Sequence, residues 1–314
     1  VNGAEPGDTL KVRINKIVPR AFGYNINLPG IAGQFPKEFA QGRIRYLYID
    51  LDRRVIEYLP GVYVPLAPFP GLIGVARKTP GPYTTRPPGE YGGNMDIRDL
   101  TEGATIHFPV WVPGGLLWSG DSHAAQGNGE VNVSAVETAF RELNLTIEVV
   151  KGTKLEYPRA ENRTSWITMG FDPDLDRALD RAIDETAKLL VETRKLPLDQ
   201  ARALVPTIAD CRVSQVVNGT KGVHCFTPKY PGAREDMARP TTETAQHYVS
   251  YSATDSVTKS MDAASLAMID FIATSKKMPR VESYGLASIA MDCRVGAARA
   301  VHCLLPKRLW NLPK

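Results

Sequence analysis

A motif occurs twice in the C-terminal half of the chain, and this duplication limits the folds that the chain can adopt. The first copy reads KLPLDQARALVPTIADCRVSQVVNGTKGVHCFTPK and the second reads KMPRVESYGLASIAMDCRVGAARAVHCLLPK. Asp210 and Asp292 are equivalent in the two copies, and the second copy is four residues shorter between DCRV and VHC. Two copies of one unit commonly pack on each other around a shared core. The sequence therefore predicts a pseudo-twofold scaffold or an oligomer interface in this half.

The duplicated unit is predicted to contain two helices followed by a β-hairpin. The stretch DPDLDRALDRAIDETAKLLVETRK predicts an amphipathic helix with Asp172 as its cap and Pro173 at its first position. The predicted apolar face of this helix contains Leu175, Leu179, Ile183, Ala187 and Leu190. The stretch TDSVTKSMDAASLAMIDFIATSKK repeats the helical pattern, and Asn218-Gly219 is typical of a hairpin turn. We therefore expect residues 161–314 to form an α+β domain with units at about 165–229 and 247–307.

Residues 1–160 show the pattern of short β-strands. TLKVRINKIV and LTIEVVKG approach apolar/polar alternation, and IRYLYIDLD and ATIHFPVWV are rich in β-branched and aromatic residues. The 24 prolines and 26 glycines of the chain fall mostly before residue 120, where they separate these stretches. The prediction is a mainly β, α+β protein whose N-terminal domain, residues 1–160, is a β-sandwich or barrel.

Composition excludes several classes of function. The net charge is +4, with 38 basic and 34 acidic residues, and no basic run is interleaved with aromatic residues as in a nucleic-acid surface. No stretch is long and apolar enough for a membrane helix. The four cysteines are too few for a disulfide scaffold, so we expect a cytoplasmic protein.

Two polar clusters in the β-rich half are candidates for chemistry. YGGNMDIRDL contains Asn94 and Asp96, and SGDSHAAQGNGE contains Asp121 and His123. The i, i+2 spacing places both side chains of a pair on one face of an extended strand, so two strands could bring four ligands together. Oxygen donors with one imidazole suit zinc, manganese, iron or calcium. The alternative is structural, because these residue types also form turns and His123 could bond a backbone carbonyl.

Other residues could take part in catalysis. Glu130 and Glu137 follow the second cluster, and a glutamate beside a metal-bound water can act as a general base. Cysteines offer a rival site, as thiol nucleophiles or thiolate ligands. The groups concerned are Cys211 with His224 and Cys225, and Cys293 with His302 and Cys303. The alternative is structural, with the cysteines of each copy packing against one another across neighbouring strands of the duplicated unit.

The motifs GAEPGDTLKVRI, GGNMDIRDL, VPGGLLWSGDSHAAQGNGEV, AVET and DCRVSQVVNGTKGV resemble those of the acetamidase/formamidase family in type and order. The resemblance implies hydrolysis of a small carboxamide to a carboxylate and ammonia by a homo-oligomeric, metal-dependent enzyme. It implies that Asn94, Asp96, Asp121 and His123 hold a divalent metal, most simply zinc. Glu137 is then the first choice of base and Glu130 the second. A lactam is a further candidate substrate.

The chain departs from the family pattern GDLHAAMGDGE at three positions. Ser122 replaces leucine, Gln126 replaces methionine and Asn128 replaces aspartate. If that aspartate is a ligand or base, Asn128 weakens metal binding or alters the reaction, and the other two changes indicate a different substrate. The resemblance also implies residues before Val1, which we expect as a separate companion chain or as a segment lost by proteolysis.

Two alternatives to a metal-dependent amidase follow from the same residues. One is a non-catalytic binding or assembly protein that keeps the fold, since fold alone does not fix function. The other is a thiol amidase that uses Cys211 or Cys225.

Overall fold

The computed structural model describes residues 1–230, 233 and 238–311. Within this range the chain forms two antiparallel sheets and four α-helices, so the fold is mainly β with added helices, as predicted. The helices are α1 (Leu175–Arg194), α2 (Leu198–Ile208), α3 (Val257–Ser275) and α4 (Arg280–Ala290), with short 3-10 helices at Ala297–Arg299 and Lys307–Trp310.

One sheet has ten strands and takes them from both sides of residue 160. In spatial order these are β11 (Phe140–Val150), β1 (Thr9–Pro19), β8 (Thr105–Pro109), β12 (Arg159–Glu161), β13 (Ser165–Asp172), β15 (Lys221–Pro228), β14 (Asp210–Gln215), β17 (Asp292–Val295), β18 (Val301–Pro306) and β16 (His247–Ser252). The division into domains at residue 160 stays a prediction.

The second sheet has eight strands and carries the polar clusters. In spatial order these are β5 (Val62–Pro65), β4 (Val55–Leu59), β3 (Arg43–Asp50), β2 (Phe22–Asn27), β10 (Val136–Thr138), β9 (Trp118–Ala125), β6 (Phe69–Gly74) and β7 (Gly92–Asn94). Apolar side chains of both sheets, such as Leu10 and Phe108 of the larger sheet and Ile73 of the smaller one, meet in one buried cluster. A second buried cluster lies under the helices and includes Leu179, Met261 and Tyr284.

Helix α1 begins two residues later than the sequence predicts. Strand β13 continues through Asp172, so the cap is Asp174, whose side chain accepts hydrogen bonds from the amides of Asp176 and Arg177. Asp172 and Pro173 are therefore not the cap and first residue, and this prediction is wrong. Most of the predicted apolar face is buried. The order helix, helix, hairpin occurs at α1–α2–β14–β15 and again at α3–α4–β17–β18.

The four cysteines form two disulfides. Cys211 bonds Cys225 and Cys293 bonds Cys303, and each pair lies directly opposite on neighbouring strands. No free cysteine remains in the described part of the chain. The predicted cross-strand contact is confirmed, whereas the thiol nucleophile and the thiolate ligands are wrong, because a disulfide sulfur is neither.

Disulfides persist mainly in oxidising compartments, so the two disulfides do not support the predicted cytoplasmic location. None of the helices in the described ranges has the length and apolarity needed to cross a membrane.

Candidate active site

The structure brings together five ionisable side chains from among the predicted metal ligands and the predicted bases. Candidate ligand atoms of Asp96, Asp121 and His123 lie within 4.8 Å of one another, and so do those of His123, Glu130 and Glu137. His123 belongs to both groups and is therefore the centre of the cluster. We call these five residues the His123 cluster.

Strand pairing explains why His123 and Glu137 meet. His123 on β9 lies opposite Glu137 on β10, and on its other side it lies opposite Phe69 on β6. Directly opposite residues of antiparallel strands point to the same face of a sheet. Glu137 in turn lies opposite Tyr24 on β2, so Tyr24 borders the cluster on the same face. His123 is 1% exposed, Glu137 16% and Asp121 33%, so the cluster opens toward solvent at Asp121.

Three carboxylates of the cluster have a left-handed backbone. The φ angles are 50° at Asp96, 52° at Asp121 and 47° at Glu130. Non-glycine residues rarely adopt this conformation, and such residues concentrate at functional sites. Strand β7 ends at Asn94, so Asp96 is not on an extended strand and the i, i+2 argument for this pair is wrong. Asp96 reaches the cluster through its turn, where its amide donates to the Gly71 carbonyl at 3.1 Å.

Glycine at position 71 leaves room for the cluster. A Cβ atom there would lie 2.6 Å from Cε1 of His123, 2.7 Å from Oδ1 of Asp96 and 3.0 Å from Oδ2 of Asp121. Side-chain contacts this short do not occur, so any larger residue would displace the cluster. Sequence reasoning missed Gly71, because a single glycine in a strand gives no sign of what faces it.

The charges in the cluster do not balance within the protein. Nε2 of His123 lies 3.1 Å from Oε2 of Glu137 and 3.3 Å from Oδ1 of Asp121. Burial alone would lower the pKa of His123, but the charge of Glu137 and the contact with Asp121 raise this pKa well above its usual value. Burial, and then the charge of Asp121, raises the pKa of Asp96 well above its usual value. Burial and the charge of Asp96 do the same to the pKa of Glu130.

This donor set fits a divalent cation. The carboxylates crowd one another, and a bound cation would relieve the repulsion that otherwise favours protons on Asp96 and Glu130. Several buried atoms also lack a hydrogen-bond partner among the described residues. They are Oδ1 of Asn94, Oδ1 of Asp96, Nδ1 of His123 and Oε2 of Glu130. Carboxylate oxygen with imidazole nitrogen suits zinc, manganese or iron, and oxygen alone suits calcium. Asn94 is buried on β7, and its place as a ligand stays a prediction.

The two glutamates are held differently. Oε1 of Glu137 accepts hydrogen bonds from the Ala135 amide at 2.9 Å and from the Ser134 hydroxyl at 3.1 Å. This leaves Oε2 of Glu137 facing His123. Glu130 is almost fully buried in the loop that follows β9.

The three departures from the family motif have structural partners. The Gln126 side-chain amide donates to the Asp96 carbonyl at 2.9 Å, and that of Asn128 donates to Oδ1 of Asp292 at 2.6 Å. Ser122 lies opposite Thr138 on β10, on the face that points away from His123. Asn128 is bound to Asp292 outside the cluster, so its replacement of aspartate removes neither a ligand nor a base of the His123 cluster.

Comparison with known proteins shows similarity to the acetamidase/formamidase family. Residues 78–169 match the model of the Acetamidase/Formamidase family. An acetamidase structure from Bacillus halodurans is 31% identical, with 72% of this chain and 75% of that chain covered and a TM-score of 0.68. The structure of a predicted acetamidase/formamidase from Thermoanaerobacter tengcongensis is 33% identical, with 72% and 73% covered and a TM-score of 0.68.

Curated relatives are matched over less of their length. An acetamidase from Mycolicibacterium smegmatis is 28% identical over 214 residues, which are 48% of this chain and 52% of that protein. A putative formamidase from Schizosaccharomyces pombe is 29% identical over 199 residues, which are 44% of this chain and 47% of that protein. The chain thus spans about half the length of these two curated relatives. The two structural matches, however, extend over nearly three quarters of both chains at more than 30% identity. The chain therefore belongs to the acetamidase/formamidase family.

Proposed function

We propose that this protein hydrolyses the C–N bond of a small carboxamide, giving a carboxylate and ammonia, or an amino acid where the substrate is a lactam. The observation that supports this most strongly is the cluster of four carboxylates around the buried His123, two of them also buried, in a chain of the acetamidase/formamidase family. Such a cluster is costly to bury unless a ligand balances its charge, so a structural role alone accounts for it poorly.

The residues proposed to hold a divalent cation, with zinc as first choice, are Asn94, Asp96, Asp121 and His123. A cation bound there would polarise the amide carbonyl and lower the pKa of a bound water to about 7. Asp121, the most exposed member of the cluster, borders the side from which substrate would enter. The buried side of the cluster, at Asp96 and Glu130, excludes bulk water.

Glu137 is proposed as the general base, with Glu130 as the second choice. The Ala135 amide and the Ser134 hydroxyl fix one oxygen of Glu137, which leaves the other free to take a proton from the attacking water. The same carboxyl would then return the proton to the departing nitrogen. Glu137 is also more exposed than Glu130, so it lies nearer to arriving substrate.

Metal removal tests this function. We expect purified protein to contain stoichiometric divalent metal and to release ammonia from formamide or acetamide, or to open a γ-lactam. Chelation should abolish both metal and turnover, and added Zn²⁺ should restore turnover. Plasma mass spectrometry and an ammonia assay measure the two quantities. Turnover that survives complete chelation would refute the metal mechanism, whereas bound metal without turnover on any amide would favour a binding or assembly protein.

The base is tested by isosteric substitution. Glu137→Gln keeps the size of the side chain and an oxygen that can accept from Ala135, but it cannot take a proton. We expect kcat to fall by about 10²–10⁴-fold, measured with the best amide of the panel. Glu142→Gln, on the exposed strand β11, is the control and should change nothing. A large loss in Glu130→Gln with none in Glu137→Gln would reverse the assignment.

Two further proposals concern the assembly and the C-terminal half. We infer a homo-oligomer and a C-terminal half made of two copies of one helix-helix-hairpin unit. The repeated element order supports the last of these.

A further inference from the structure

The two hairpins of the C-terminal half differ in length. DCRV and VHC are nine residues apart in the first hairpin and five apart in the second. Val213 pairs with Val223 in the first hairpin as Val295 pairs with Val301 in the second. Beyond this point the first hairpin continues to the pair Gln215 and Gly222, whereas the second ends. The extra residues therefore lengthen the β14–β15 hairpin beyond its counterpart.

The tip of the longer hairpin contacts the His123 cluster. The Asn218 side-chain amide donates to Oδ2 of Asp96 at 2.6 Å, across 122 positions of sequence. The turn that carries Asn218 is fixed by Gln215, whose side-chain oxygen accepts from the amides of Val217 at 2.9 Å and Asn218 at 3.1 Å. Nε2 of Gln215 donates to the Thr220 carbonyl at 2.6 Å. Asn218 is thus held in place by its own turn.

Asp96 needs such a partner. Its carboxyl group is buried, and its left-handed backbone does not fix the direction of the side chain. A neutral amide on Oδ2 orients the carboxylate without adding charge. Oδ1 then has no hydrogen-bond partner among the described residues, and it faces the space beside Gly71 and His123. One oxygen is therefore bound to Asn218, and the other is presented to the cluster.

We propose that Asn218 is a positioning residue for metal binding, and that the four additional residues of the first hairpin place it there. This inference rests on the proposed metal-dependent function. It assigns to the C-terminal half a part in the active site beyond that of a scaffold. Groups that orient a metal ligand typically change metal affinity by about 10–100-fold when they are removed.

The test compares metal affinity in three variants of the full chain. Asn218→Ala removes the donor, Asn218→Gln keeps an amide on a longer side chain, and Thr220→Ala is the control in the same turn. Zn²⁺ dissociation constants come from competition with a chromophoric chelator, and Co²⁺ absorption spectra report the ligand geometry. Thermal unfolding checks that each variant is folded. We expect Zn²⁺ binding about 10–100-fold weaker and an altered Co²⁺ spectrum in Asn218→Ala, partial recovery in Asn218→Gln, and parent values in Thr220→Ala.

Two failures can be told apart. If the parent protein binds Zn²⁺ and Asn218→Ala binds it with the same affinity and the same Co²⁺ spectrum, the positioning role is wrong while the proposed function stands. If the parent protein binds neither ion, the metal mechanism is wrong and the role of Asn218 falls with it. Equal weakening in Asn218→Ala and Thr220→Ala would show that the turn matters only as structure, which also overturns the proposal.

Discussion

Replacing His123 by alanine should remove both bound metal and amide hydrolysis. His123 is the one residue shared by the two ligand groups of the cluster, and its ring lies within 3.3 Å of carboxylate oxygens from Asp121 and Glu137. Without the imidazole, the four carboxylates of the cluster face one another and its nitrogen ligand is lost. We expect metal content to fall to the background and turnover to fall by at least about 10²–10⁴-fold. Mass spectrometry of metal content and ammonia release measure the two losses.

A second histidine offers a matched control for this substitution. His107 on β8 lies 3.0 Å from a carboxylate oxygen of Glu161 and belongs to neither ligand group of the cluster. His107→Ala thus removes the same kind of histidine-carboxylate contact outside the site, and we expect parent metal content and turnover. Urea unfolding of both variants shows whether they are folded. Full metal content in folded His123→Ala would contradict the assignment of the site.

The composition of the cluster could be predicted from the sequence, but its geometry could not. Asp121 and His123 are two residues apart on β9 and do meet, but the left-handed backbone of Asp121 interrupts the regular alternation on which the prediction rested. Asp96 arrives by a left-handed turn after β7, which no alternation argument describes. Gly71 and Asn218 belong to the site only because β6 and the β14–β15 hairpin pack there. Contacts between distant segments leave no local pattern in a single sequence.

The same limit applies to the fold. The strands before residue 160 and helix α1 follow from residue patterns, because burial of one face requires the matching period. The ten-stranded sheet, however, joins β12 to β13 and so continues from one half of the chain into the other. The cap of α1 is Asp174 and not the predicted Asp172, because β13 extends through Asp172. Strand β13 extends this far because Asp172 pairs with Lys221 of β15, a contact that local sequence does not reveal.

Removing the buried Glu282 carboxylate should destabilise the fold more than removing the charge of an exposed ion pair does. Glu282 lies in the first turn of α4 and contacts the eight-stranded sheet, where it accepts from Arg45 at 2.6 and 2.8 Å and lies 2.7 Å from Arg43. Tyr58 also donates to it at 3.0 Å. The side chains of Glu282 and Arg43 are only 12% and 8% exposed. Breaking a buried ion pair from one side typically costs about 3–5 kcal/mol, and we expect this loss of unfolding free energy in Glu282→Gln at pH 7.

The matched control and the pH dependence make this prediction specific. Glu192 makes a similar double contact with Arg159 but is 58% exposed, so Glu192→Gln should cost at most about 1 kcal/mol.

Burial alone would raise the pKa of Glu282, but the hydrogen bonds from Arg45 and Arg43 outweigh it and lower this pKa to about 2. A lowered pKa gives stability that is complete above the unfolded pKa, near 4.3, and is lost as pH falls toward about 2. In urea unfolding, the difference between parent and Glu282→Gln should therefore be constant from pH 7 to about 5 and shrink below that. A difference that does not exceed that of Glu192→Gln at pH 7, or one that grows on acidification, would show that this ion pair does not hold α4 on the sheet.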